Sequence, residues 1–314
     1  MHFKNQRNFG FGKQVGFALK RIVRSRLGEG QFLTQRDNRS RLKHLQTYMK
    51  ANGIRSLELL TPHDMRAFED FICQRVTEGE LSQKYAKNII SDVSTTLCFG
   101  RGDLLLYMSP SKKLGRSSSI KERPPLAMDR EVVLRAVERM EDQGFRRMGL
   151  AIGLQRSLGL RTRESAVMRI SRAVREARSQ GRTNVIDGTK GGRKSPRWVK
   201  VDSDAMSLLE RAAACMSQTG CLIDDGLTFR QWDQRLRYRY RKVSADLGLS
   251  SKLHDLRASF ACEQYEVMTG HPPPVINGSR VASKDADRRA REELAYLLGH
   301  NRADVVASYV GSSR

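Results

Sequence analysis

The chain has 314 residues, with 57 Lys+Arg against 34 Asp+Glu and a formal net charge of +23. That length allows two domains of about 100–200 residues, each able to bury a core, and the charge is the footprint of a polyanionic partner, nucleic acid before a membrane surface. A spanning helix is excluded because no stretch approaches the ~20 apolar residues it needs, and a disulfide framework or zinc site is disfavoured because the five cysteines are scattered without a C-x-x-C pair.

The basic N-terminus lacks the apolar run of a signal peptide, so the expected location is the cytoplasm. His2, His44, His63 and His271 have no partners at ligand spacing and read as surface or packing residues. Residues 1–30 carry seven basic side chains among glycines and isolated aromatics and read as a solvated basic tail. From 31 to 108 the pattern is helical. Leu42, Leu45, Tyr48 and Met49 recur at helical spacing, Thr61-Pro62-His63-Asp64 has the form of a helix start, and Ser82 opens a helix carrying Ile89, Ile90, Val93 and Leu97. Three or four helices without strands predict a small bundle.

Residues 109–125 combine Ser, Gly, Pro and basic residues with little that is apolar, the composition of an interdomain linker. A second domain is expected over 126–314, mainly helical. Within it, 184–187 and 197–201 read as two short strands joined by a glycine-rich turn that contains Lys190, Arg193 and Lys194. The turn lacks the Gly-Lys-Ser/Thr ending of a phosphate-binding loop. Residues 229–247 form a basic helix with Arg230, Arg235, Arg237 and Arg239 among Trp232, Tyr238 and Tyr240. Such a helix suits a major groove, and one that buries its aromatics and exposes its arginines would read the same. Residues 271–285, with Pro272-Pro273-Pro274, read as an inserted surface loop.

Three signals close the chain: LHDLRASFA (253–261), LLGHN (297–301) and SYVG (308–311). His254 and Arg257 are three residues apart, so on a helix they share a face and can converge on one small anion. His300 precedes Tyr309 by nine residues (309 − 300), room for a turn and one short helix. The order His-x-x-Arg, Gly-His, Tyr resembles the C-terminal half of the tyrosine recombinase (phage integrase) family. Upstream, SLGLRTRES supplies the Arg-x-x-Glu of the family's first box at Arg161 and Glu164, where Glu164 would brace the turn. The helices of 31–108 resemble, more loosely, the family's SAM-like core-binding domain. Singly, each residue also has a structural reading: Tyr309 as a packing aromatic, Gly299-His300 as a helix end, Arg257 as an ion-pair partner.

The resemblance implies a site-specific DNA recombinase, the integrase of a mobile element, that cuts and rejoins DNA through a 3′-phosphotyrosyl intermediate. Tyr309 would be the nucleophile, Arg161 and Arg257 would clamp the phosphate, His254 would accept the tyrosine proton, and His300 would hydrogen-bond the phosphate. Lys190 matches the position that protonates the leaving 5′-hydroxyl, with Lys194 as second choice. Arg193, Lys194 and the arginines of the basic helix would contact DNA. No cofactor or metal is implied.

The implied partners are double-stranded recombination sites, a homo-tetramer on paired sites, and accessory DNA-bending or directionality factors, in a bacterial nucleoid setting. Only five residues follow Tyr309, so a docking tail between protomers is expected to be short or replaced by another contact. Two alternatives stand beside this reading: DNA relaxation of the type IB topoisomerase kind, and a DNA-binding protein that keeps the fold without cutting.

Overall fold

The computed structural model describes residues 5–115, 120–192 and 195–313. The chain divides into two compact units, Met1–Ser118 and Ser119–Arg314.

The first unit is a bundle of four helices: α1 (Val15–Leu27), α2 (Phe32–Ala51), α3 (Pro62–Thr77) and α4 (Gln83–Arg101). Its caps are written in the sequence. Thr61 accepts from the Asp64 amide while the Asp64 carboxylate takes the Thr61 amide, and Ser82 accepts from the Tyr85 amide, which satisfies donors the first turn would leave orphaned. The core is formed by Leu42, Leu45, Phe68, Ile72, Ile89, Ile90, Val93 and Leu97.

Of the expected basic tail over 1–30, the described residues 5–30 are not a solvated tail. Ala18, Leu19, Ile22 and Val23 on α1 are buried in this core, together with Phe9. The seven basic residues hid an apolar stripe at i, i+1, i+4 and i+5, which is enough to dock a helix whose other face stays charged. Gly100 lets the two helices approach, since a Cβ there would lie 2.7 Å from Ile22 Cδ1.

The second unit is mainly helical: α5 (Arg130–Asp142), α6 (Arg146–Leu158), α7 (Thr162–Val167), α8 (Ile170–Gln180), α9 (Ser203–Ala213), α10 (Phe229–Asp246), α11 (His254–Thr269), α12 (Pro274–Asn277), α13 (Lys284–Leu297) and α14 (Ala307–Val310). Its sheet is the hairpin β1 (Arg182–Asn184) and β2 (Trp198–Lys200), paired antiparallel with Thr183 opposite Val199. β2 falls inside the expected 197–201, whereas β1 ends at Asn184, where the expected strand 184–187 was to begin. From Met148 to Leu158 every residue of α6 is buried, so α6 is the axis of this unit and α5, α9 and α11 pack around it.

The 271–285 segment is also more than a surface loop. Pro274 and Val275 are buried on the short helix α12, and Gly311 lies so close that a Cβ there would meet the Val275 amide at 2.6 Å. The prolines that signalled a loop instead start a helix, Pro274 occupying its first position. That helix packs against α14.

Candidate active site

Gly159 ends α6 in a left-handed conformation (φ +60°), and a Cβ there would strike Phe260 at 2.3 Å. The turn it makes delivers Arg161 to the start of α7. Glu164, one turn on, accepts from the Arg161 amide at 2.8 Å and from its guanidinium at 2.7 Å, the bracing expected of it. The other Arg161 nitrogen donates to the Leu298 carbonyl at 3.2 Å.

Arg257 stands one turn into α11, with its side chain 1% exposed. Its two terminal nitrogens donate to the carbonyls of Gly159 and Leu298, and its Nε faces the Tyr309 hydroxyl at 3.4 Å. The free bidentate fork expected for a phosphate is therefore absent, because its two prongs hold backbone. Desolvation lowers its pKa to about 10, so it stays charged at neutral pH.

Glu164 is fully buried, and a lone carboxylate there would be costly. Burial pushes its carboxyl up, but Arg197, Arg257 and Arg161 outweigh that and hold it below the ordinary range. Arg197 is the residue that sequence reasoning missed. Its guanidinium sits 2.8 Å from Glu164 in a buried pair. Standing next to β2, it ties the hairpin to the Arg161 turn. The available signal was an arginine opening a strand whose next inward position, Val199, is core.

Tyr309 lies on α14 with 3% of its surface exposed. Its hydroxyl is 3.1 Å from His300 Nε2, while the His254 ring lies 5.2 Å from the Tyr309 ring, centroid to centroid, tilted by 48°. The nitrogen within reach of the phenolic proton therefore belongs to His300; His254 flanks the ring. Partial burial, then Arg257, Arg161 and Arg197, lower the His300 pKa to about 4. Desolvation, followed by Arg257, Lys121 and Arg161, lowers that of His254 as well. Both imidazoles are neutral at pH 7, and in the tautomer that carries its hydrogen on Nδ1, His300 Nε2 can accept a proton.

A cavity of about 60 Å³ beside these groups is lined by Arg161, Lys190, Arg197, Tyr296 and His300, among others. Lys190, exposed in the hairpin turn, is thereby brought to the same place as Arg161 and His300. Tyr296 holds the hairpin from the other side, accepting from the Trp198 amide at 3.0 Å. Arg193 and Lys194 lie outside the described residues.

On α10, Trp232 and Tyr240 are buried while Arg230, Arg235 and Arg237 are exposed. Arg237 pairs with Asp233 at 2.9 Å and Arg239 lies 4.1 Å from the Phe145 ring centroid. Two of these four arginines are thus engaged within the protein. Among the described residues no group of three His, Cys, Asp or Glu is placed to hold a metal ion, and no helix is long and apolar enough to cross a membrane.

The arrangement offers a phenol against a neutral imidazole, ringed by guanidinium groups, with an ammonium across a small cavity. Such a set can deprotonate a phenol and stabilise negative charge built up beside it.

The family model described as Integrase matches residues 122–263. No curated protein matches the chain. A lambda integrase (75–356) dimer bound to a COC′ core site is similar in structure, with TM-score 0.56 and 20% identity, covering 94% of this chain and 93% of that one. XerH site-specific recombinase bound to difH substrate gives TM-score 0.62 at 16% identity, covering 95% and 94%. The Tn1549 transposon integrase with circular intermediate DNA gives 0.58 at 13% identity, covering 96% of each chain. The integrase match spans the Arg161 turn, the hairpin and the His254–Arg257 motif, and the chain shares its fold with these recombinases.

Proposed function

We propose that the protein is a site-specific DNA recombinase, the integrase of a mobile element, with Tyr309 as its nucleophile. The observation that carries this reading is the 3.1 Å approach of the Tyr309 hydroxyl to neutral His300, beside buried Arg257. With an ordinary pKa of about 10, only about one tyrosine in a thousand is ionised at pH 7, a deficit of roughly 4 kcal/mol. A proton acceptor and fixed cations at that oxygen address this deficit.

In the proposed step the Tyr309 oxygen attacks a backbone phosphorus, its proton passes to His300, and the bond from phosphorus to the 5′-oxygen breaks. Lys190 gives that oxygen its proton. Arg161 contacts the non-bridging oxygens, and Arg257, fixed by two carbonyls, stabilises the charge from beneath through its Nε edge. His254 flanks the tyrosine ring and orients it, so His300 takes the proton-accepting role that the resemblance gave to His254. The product is a 3′-phosphotyrosyl DNA with a free 5′-hydroxyl. The covalent bond conserves the phosphodiester until a second strand attacks, and no nucleotide or metal is consumed.

Duplex recombination sites, a tetramer on paired sites and accessory bending factors complete the proposal; among the structures similar in fold is a lambda integrase tetramer bound to a Holliday junction. The exposed arginines of α10, together with Arg193 and Lys194, are proposed DNA contacts.

The test is a nicked duplex carrying the sequence that borders the gene, on which the leaving fragment diffuses away. The parent should accumulate a covalent adduct mapped to Tyr309. Tyr309→Phe should bind the same duplex as tightly and form none. Adduct from the phenylalanine variant would remove Tyr309 from the mechanism, and no adduct from either would favour a binding protein that no longer cuts.

A further inference from the structure

The tyrosine that the proposed function depends on sits on α14, an element only four residues long. A single helical turn has little stability of its own, since nucleation costs more than its few bonds return. Its position must be set by neighbours.

One neighbour is the stretch that enters the second unit. The Lys121 amide donates to the Ala307 carbonyl, at the first residue of α14, at 2.9 Å. The same lysine reaches α11 with its side chain, its Nζ lying 3.0 Å from Asp255 Oδ1, and the other carboxylate oxygen of Asp255 accepts from the Leu126 amide at 2.6 Å. Asp255 is 9% exposed and directly follows His254. One carboxylate therefore pins both ends of 121–126 onto α11, while the backbone of residue 121 holds α14.

We propose that Lys121 and Asp255 are positioning residues for the nucleophile: their ion pair fixes segment 121–126 as a strap that sets α14, and with it Tyr309, against the histidine of α11. The proposal rests on Tyr309 being the nucleophile. The strap lies within the second unit. The pair acts on Tyr309 through placement, by way of the backbone of residue 121.

The test uses the full chain with Lys121→Ala, Asp255→Asn and the conservative Lys121→Arg. Amide hydrogen exchange over 303–313 should accelerate by about 10-fold in the first two variants, while exchange over 146–158 in α6 stays at the parental rate. Adduct formation on the nicked duplex should slow by about 10-fold with unchanged affinity, and Lys121→Arg should restore both rates.

Unchanged exchange over 303–313 would overturn the proposal. So would an acceleration shared equally with α6, which would make the pair a general stabiliser, or a loss of affinity that accounts for the slower reaction. The exchange measurement needs no chemistry, so if Tyr309→Phe still formed adduct, the proposed nucleophile would fail while the strap was judged separately.

Discussion

Glu164 and Arg197 meet at 2.8 Å with both side chains buried, and this pair fastens the hairpin bearing Lys190 to the turn bearing Arg161. Two groups proposed to act on one phosphate are thus held by elements joined through a single carboxylate. The same carboxylate faces Arg257 at 3.7 Å.

Removing its charge should be costly. Glu164→Gln keeps the shape but leaves three guanidinium groups without their common counter-charge, and breaking a buried pair costs about 3–5 kcal/mol. Urea unfolding should register a loss of that size, and adduct formation should fall with it. A loss below about 1 kcal/mol would mean that the arginines find other partners.

Lys190 can be separated from its neighbour Lys194 chemically. A general acid matters in proportion to how poor the leaving group is, and a thiolate, whose parent acid has a pKa near 8.5, leaves without help. Lys190→Ala should cleave ordinary DNA at least ~100-fold more slowly and recover most of that loss when sulfur replaces the bridging 5′-oxygen. Lys194→Ala should show a smaller defect and no sulfur-specific recovery. Rescue of the Lys194 variant instead would exchange the two assignments.

The histidines predict a pH dependence of stability. His300 is lowered to about 4 in the folded chain from an unfolded value of 6.5. Between those values the unfolded state binds a proton that the folded state refuses, so stability is full above about 6.5 and is lost as pH falls toward 4. His254, lowered for similar reasons, acts in the same direction. His300→Gln should flatten that decline in thermal melts taken from pH 7 to 4; a decline as steep as the parent's would place the responsible proton elsewhere.

Both units are expected to engage the duplex. If so, the full chain should bind its site with a steeper salt dependence than residues 119–314 alone, log K changing by about −0.9 for each phosphate neutralised on duplex DNA. Equal slopes and equal affinities would show that the bundle contributes no contacts.

Much of this was legible in the sequence because the site's residues lie within short motifs on regular elements. His254 and Arg257 are one turn apart on α11, Glu164 is one turn from Arg161, and α3 and α4 announce themselves by their caps. What stayed hidden depends on distance along the chain. Arg197 meets Glu164 across 33 residues, a relation no local pattern encodes. The roles of the two histidines follow from which ring nitrogen reaches Tyr309, and that is set by how α14 packs. On α1, charge dominated the composition while four apolar side chains decided the fold. The prolines at 272–274 signalled a break, although one of them begins a buried turn of helix.

Gly159 carries a consequence beyond its turn. Its left-handed torsion aims a carbonyl at Arg257 and, two residues later, sets the bearing of Arg161, while Phe260 leaves no room for a side chain. Two cations on separate helices therefore take their aim from one backbone angle. A descendant of this gene that replaced Gly159 could keep every reacting side chain and still be silent, so an inventory of those side chains would count a dead copy as a living one.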